Sequence, residues 1–111
     1  MKTYIELWKA KQSWISLPQD QRADYLSKMQ PSIGFFLEKG SSIISWGKNT
    51  DANDQKADYD WFSIWQFPDD GVLAEFEALL QGAGWYDYFD QINVGVEHVG
   101  PEEVIAQLIN L

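Results

Sequence analysis

Tyr4, Glu6 and Trp8 alternate along one apolar segment, and Trp61, Ser63 and Trp65 alternate along another. Residues two apart share a face of an extended chain. Each segment therefore gathers indole rings with a carboxyl or a hydroxyl on one side. A carboxyl pressed against indoles loses hydration, and its pKa rises. An acid tuned in that way can carry a proton at neutral pH. Glu6 is the first such candidate. An antiparallel fourth strand beside it would bring up Asn93 or Glu97, and a second carboxylate there would push one of the two acids higher still. The structural alternative is that Glu6 pairs with Lys9, Arg22 or a subunit partner, and that the Trp rings are interface core.

Trp8, Trp46, Trp61 and Trp65 are candidates to line a pocket for a flat or apolar ligand, with Ser63 and Asn93 as orienting polar groups. Such a mixture is common in ligand sites. Tyr4 shares this face. Tyr86 and Tyr88 precede the fourth strand and combine an aromatic body with a hydroxyl. They suit a cleft lining or a subunit contact. His98 is the one histidine, read either as a proton shuttle or as a strand-end residue. Asp51, Asn53, Asp54 and Asp58 sit in one polar segment, but the glycine and terminal glutamate of an EF-hand are missing at the required spacing. No metal site is expected. Dinucleotide, Walker, nucleophile-elbow and zincin motifs are absent.

The elements that must position these residues read as strand, helix, strand, strand, helix, strand. The first strand runs Thr3–Lys9, with Ile5 and Leu7 opposite Tyr4, Glu6 and Trp8. Ser16 is a candidate N-cap of the first helix, with Gln19 at capping-box spacing. Tyr25, Leu26, Met29, Ile33, Phe36 and Leu37 form its stripe. Pro31 should kink or split it, and Gly40 should follow its end. The second strand is Ser42–Gly47, in which Ile44 and Trp46 are placed on the Trp face. A long polar loop, 48–58, leads to the third strand, Tyr59–Phe67. Asp69 or Asp70 should cap the second helix, whose stripe is Val72, Phe76, Leu79 and Leu80. Trp85–Phe89 reads as a turn or short helix and Ile92–Val99 as the fourth strand. Residues 100–111 form an amphipathic tail helix.

Two right-handed βαβ units give a ferredoxin-like α+β domain over residues 1–111, with a four-stranded antiparallel sheet of order 4132 and both helices on one face. On this reading Ile5, Leu7, Phe62, Ile64, Val94 and Val96 meet the helices. The Trp face is open, and such a greasy surface needs a second molecule to cover it.

The 111 residues suit one domain. They are 45% hydrophobic and 15% aromatic, with six Trp that must be buried against something. Net charge is −9 and the pI about 4.3, which disfavours nucleic acid and anionic membrane surfaces as partners. There is no cysteine, so no disulfide and no thiolate chemistry. No apolar run approaches a membrane span, and none resembles a leader. A cytoplasmic protein is expected.

The strand–helix order and the aromatic face resemble the dimeric α+β barrel superfamily over about residues 3–99. Ser45-Trp46-Gly47, the run Tyr59 to Trp65 and the run Gly84 to Phe89 are also similar to a small, functionally uncharacterised bacterial family within it. The resemblance implies a homodimer, sheet face to sheet face, with a cleft in each subunit. The superfamily includes cofactor-independent monooxygenases, isomerases, haem enzymes and proteins without shown chemistry. Its haem enzymes use an axial histidine on a helix, whereas His98 ends a strand, and no cofactor is expected. The favoured reading is a protein that binds a small hydrophobic or aromatic molecule. The alternatives are a cofactor-independent oxygenase or isomerase with Glu6 or Glu97 as proton carrier, and a purely structural interaction module.

Overall fold

A computed structural model describes residues 1–111. The elements are β1 (Lys2–Ala10), α1 (Gln12–Ile15), α2 (Gln19–Glu38), β2 (Ser42–Lys48), β3 (Trp61–Phe67), α3 (Asp70–Gly82), α4 (Trp85–Tyr88), β4 (Phe89–Val96) and α5 (Pro101–Ile109). The four strands form one antiparallel sheet in the order β2-β3-β1-β4, as the sequence predicts.

Local chemistry accounts for most boundaries. Asp69 caps α3, its Oδ1 accepting from the Val72 N–H at 2.9 Å. Gly40 ends α2 at a φ of 96°. The Ser41 N–H donates to the Phe36 carbonyl at 3.0 Å and the Gly40 N–H to the Leu37 carbonyl at 3.1 Å, the paired bonds of a Schellman motif. Two expectations for α2 are corrected. Ser16 does not cap it: Ser16 ends α1, and α2 starts after Pro18, whose fixed φ leads into a helix. Pro31 does not split it, because α2 runs through as one helix of 20 residues. Shorter corrections fall at the strands. β3 begins at Trp61, not Tyr59, and β4 starts at Phe89 and stops at Val96.

The largest correction concerns the faces of the sheet. The sequence reading puts Ile5, Leu7, Phe62, Ile64, Val94 and Val96 against the helices, and the structure reverses this. Tyr4, Trp65 and Phe67 form the core with Phe36 of α2 and Leu73, Phe76 and Leu80 of α3. Glu6 and Ser63 are buried on the same side. Trp8, Trp46, Trp61, Asn93 and Gly95 share that face by register, so the indole-bearing side lies beneath the molecule's own helices. The opposite face is helix-free. There Ile92 and Val94 remain 46% and 47% exposed. The physical reason is size. Aromatic side chains bury the larger apolar area, so covering Tyr4, Trp65 and Phe67 removes more surface from water than covering Ile5 and Ile64 would. The polar members of the face satisfy one another, as described below.

β2 is divided between the two patterns. A bulge between Ile43 and Ser45 shifts its register. Ile43 and Trp46 therefore both lie on the helix side, and Ile44 is displaced and exposed, contrary to expectation for Ile44. Gly47 lies close against its neighbour: a Cβ there would stand 3.0 Å from Cε1 of Phe62, and the ring would have to shift to admit it. The 48–58 loop closes on itself, with Asn49 Nδ2 donating to the carbonyls of Ala57 and Tyr59, each at 3.0 Å. No helix is long and apolar enough to cross a membrane.

This inversion is testable by stability. Phe67 has no exposed surface, so Phe67→Ala should cost about 3–5 kcal/mol in urea unfolding. A loss below about 1 kcal/mol would place Phe67 outside the core.

Candidate functional site

Between α2 and the indole face of the sheet lies a cleft of about 490 Å³. Leu26, Met29 and Ile33 line it from α2, Leu79 and Leu80 from α3, and Trp8, Trp46 and Trp65 from the strands. Trp85 of α4 closes one side, and Glu6 and Gln91 supply polar groups. The cleft exists because large rings keep the helix off the sheet. Phe36 packs edge-on against Phe76 at 5.3 Å and Phe67 at 6.4 Å, and fills one end. At the other end Tyr25 Oη donates to the Ala83 carbonyl at 2.8 Å, and Trp14, Tyr25 and Tyr88 form a ring cluster.

The cross-strand register assembles the polar groups. Glu6 stands opposite Ser63 on β3 and opposite Asn93 on β4, and Trp8 stands opposite Gln91. Ser63 Oγ donates to Glu6 Oε1 at 2.8 Å, and Gln91 Nε2 donates to Glu6 Oε2 at 2.6 Å. Gln91 also donates to Asn93 Oδ1 at 2.8 Å, and its Oε1 accepts from Trp85 Nε1 at 2.8 Å. The Trp65 indole N–H lies beside the Glu6 carboxyl and favours its charged form, yet makes no hydrogen bond of good geometry with any group of the chain. That leaves a buried donor on the cleft wall without a full partner.

Glu6 is 5% exposed. Burial pushes its carboxyl above the ordinary range. The hydrogen bonds from Ser63 and Gln91 pull it back down, and Glu77 raises it again. Burial also raises the Tyr86 phenol, helped by Glu6 and Glu77, and raises Tyr4 further, beside Glu77. The cleft thus holds one desolvated acid among groups that become anions when they ionise.

The residues expected from sequence separate into those that meet here and those that do not. Glu6, Trp8, Trp46 and Trp65 line the cleft. Ser63 and Asn93 reach it through hydrogen bonds to Glu6 and Gln91. Tyr4 and Tyr86 pack in or against the core beside Glu6, and the Tyr4 hydroxyl donates to Glu77 over 3.4 Å. Trp61 falls outside, in a shallow hollow of about 270 Å³ with Trp8, Trp46, Gly47 and Lys48. Tyr88 belongs to the Trp14–Tyr25 cluster. Glu97 is exposed beyond β4 and forms no carboxylate pair with Glu6; Glu77 is the acid that acts on it. His98 Nε2 lies 2.9 Å from Thr3 Oγ1, a residue of the opposite strand parity. Lys9 pairs with Asp58 at 2.8 Å and leaves Glu6 alone. Gln91 and Trp85 are the residues that sequence reasoning misses. Gln91 has the parity of Asn93, but its strand begins earlier than the apolar pattern indicates.

The acid gives a signed prediction. A carboxyl raised on folding contributes stability that is complete below its unfolded value and is lost as pH rises through its folded value. Glu6→Gln carries no charge at any pH. Its melting temperature relative to the parent should therefore climb as pH rises above the ordinary carboxyl value, about 4.3. Paired thermal melts across that range check it, and a flat or falling difference contradicts it.

Comparison with known proteins adds fold and family. The crystal structure of At3g17210 from Arabidopsis thaliana is similar, with a TM-score of 0.62 over 90% of this chain and 97% of that one, at 10% identity. At that identity the likeness concerns the fold alone. No protein with a curated description matches the sequence. A family described as of unknown function, DUF6616, matches residues 1–111. The chain belongs to the DUF6616 family.

Proposed function

We propose that the protein binds a small apolar or aromatic molecule in the cleft between α2 and the sheet. The observation that carries this reading is the cleft itself: about 490 Å³, walled mainly by indoles and aliphatic side chains, with one buried carboxyl. Volume and make-up match those of small-molecule sites. The uncharged fluorophore N-phenyl-1-naphthylamine tests it. Its emission should rise saturably with protein, and Met29→Trp, which fills the cleft from α2, should weaken binding about tenfold or more. No saturable signal from the parent protein would refute the reading.

A second reading is supported by the raised acid. Glu6 is positioned to exchange a proton with a bound molecule, as a cofactor-independent oxygenase or isomerase would need. Glu6→Gln separates the two, since a proton carrier loses turnover while the fluorophore still binds.

We also propose a ferredoxin-like, dimeric α+β barrel arrangement in which a second copy covers the helix-free face, in a cytoplasmic setting. The partner surface is aliphatic and not the Trp face first expected. Accessible surface is 7511 Å², against about 6,300 Å² for a monomer of this mass. The difference exceeds the roughly 800 Å² that each partner contributes to a standard interface. Part of it is α5, on which Ile105, Leu108 and Ile109 are 55%, 63% and 75% exposed. The radius of gyration, 16.3 Å against about 13 Å for this length, reports the same uncovered material. Light scattering at micromolar concentration should give twice the chain mass, and Ile64→Asp with Val94→Asp should halve it. A parent protein of single-chain mass would end the proposal.

A further inference from the structure

The geometry points to an organic cation as the occupant of the cleft: an ammonium group on an apolar body, seated against Glu6 between the indoles of Trp8, Trp46 and Trp85. This inference rests on the cleft being a ligand site and adds the ligand's charge.

The first support is an acid without a counter-ion. Glu6 is buried, and no lysine, arginine or histidine lines the cleft. The charged or titratable groups that act on it are Glu77 from α3, Tyr4 on its own strand and Tyr86 from α4, none of which is a cation. Helix α2 contributes no charged side chain to the lining. Lys9 is engaged with Asp58 and Lys39 with Glu75, and neither Lys2 nor Arg22 is among the groups that act on Glu6. A buried carboxylate in that state is costly, and a ligand cation supplies what the chain omits.

The second support is the arrangement of rings. Trp8 lies 6.1 Å from Trp46 with planes at 55°, and 6.4 Å from Trp85 with planes at 66°. The three indoles are inclined walls and not a parallel stack. Ring faces attract cations, and inclined aromatic walls are the usual receptacle for ammonium groups. The Trp85 ring is held in place by its bond to Gln91, which in turn holds Glu6. The wall and the acid are therefore positioned as one unit. Leu26, Met29 and Ile33 face them from α2 and would take the apolar body.

Competition against N-phenyl-1-naphthylamine tests the charge. The probes are naphthalen-2-ylmethylammonium and its neutral analogue naphthalen-2-ylmethanol. Near pH 8 the ammonium should displace the fluorophore at a concentration about tenfold or more below that of the alcohol. Glu6→Gln should reduce that preference to about twofold or less while the fluorophore still binds. Trp46→Ala, at the exposed rim, should weaken the ammonium more than the alcohol. Acidification through the range in which Glu6 takes up its proton should also weaken the ammonium selectively. An alcohol that competes as well as the ammonium overturns the cation inference and leaves the cleft as a neutral ligand site. If neither probe nor the fluorophore binds, the ligand site itself fails, and the inference with it.

Discussion

Trp65 and Phe67 lie ring beside ring, 5.5 Å apart and 6° from parallel, and Phe76 of α3 presses on both at 5.1 and 5.0 Å. This aromatic layer decides which side of the sheet the helices occupy. Its rings are too bulky to let α2 settle onto the strands along its whole length, so contact is made at the Phe36 end and space is left further along. The cleft is therefore a product of the core packing. The same layer lowers the local dielectric around Glu6, which is why a carboxyl opposite a serine becomes a tuned acid.

Much of this was legible in the chain and one essential feature was not. Period-two alternation locates Tyr4, Glu6 and Trp8 together, and strand order follows from short connections and handed crossovers. Asp69 and Gly40 announce the helix ends they make. Alternation has no sign, however. Both faces of this sheet are apolar, one aromatic and one aliphatic, so hydropathy cannot tell inside from outside. The deciding facts are the volumes of Phe36 and Phe76 across the layer and the mutual satisfaction of Glu6, Ser63 and Gln91. These pairings join residues 57 and 85 positions apart, and only the register reveals them. Trp85 escaped for a related reason: it lies on a single helical turn that carries no periodic signal, and its role comes from a bond to Gln91.

The polar network also separates two kinds of carboxylate that look alike in sequence. Glu97 and Glu6 share strand parity, but β4 ends before Glu97, which stays in water. Glu6 is central in β1, paired on both sides. Position across the sheet, and not residue type, makes one of them chemically interesting. His98 shows the same separation. It bonds to Thr3 and steadies the segment leading to α5, on the far side of the sheet from the indoles.

Pro31 acquires a mechanical meaning in this setting. Helix α2 is moored near one end by Tyr25 to Ala83 and near the other by Phe36 to the core. Between the moorings it spans the hollow like a beam. Proline has no N–H to offer the carbonyl of Ser27, one turn earlier, and Ser27 itself borders the hollow. The beam is thus notched at mid-span. A bend there would alter the width of the gap beneath while both anchorages stay fixed, so the missing bond puts the weakest point of the helix directly over the hollow.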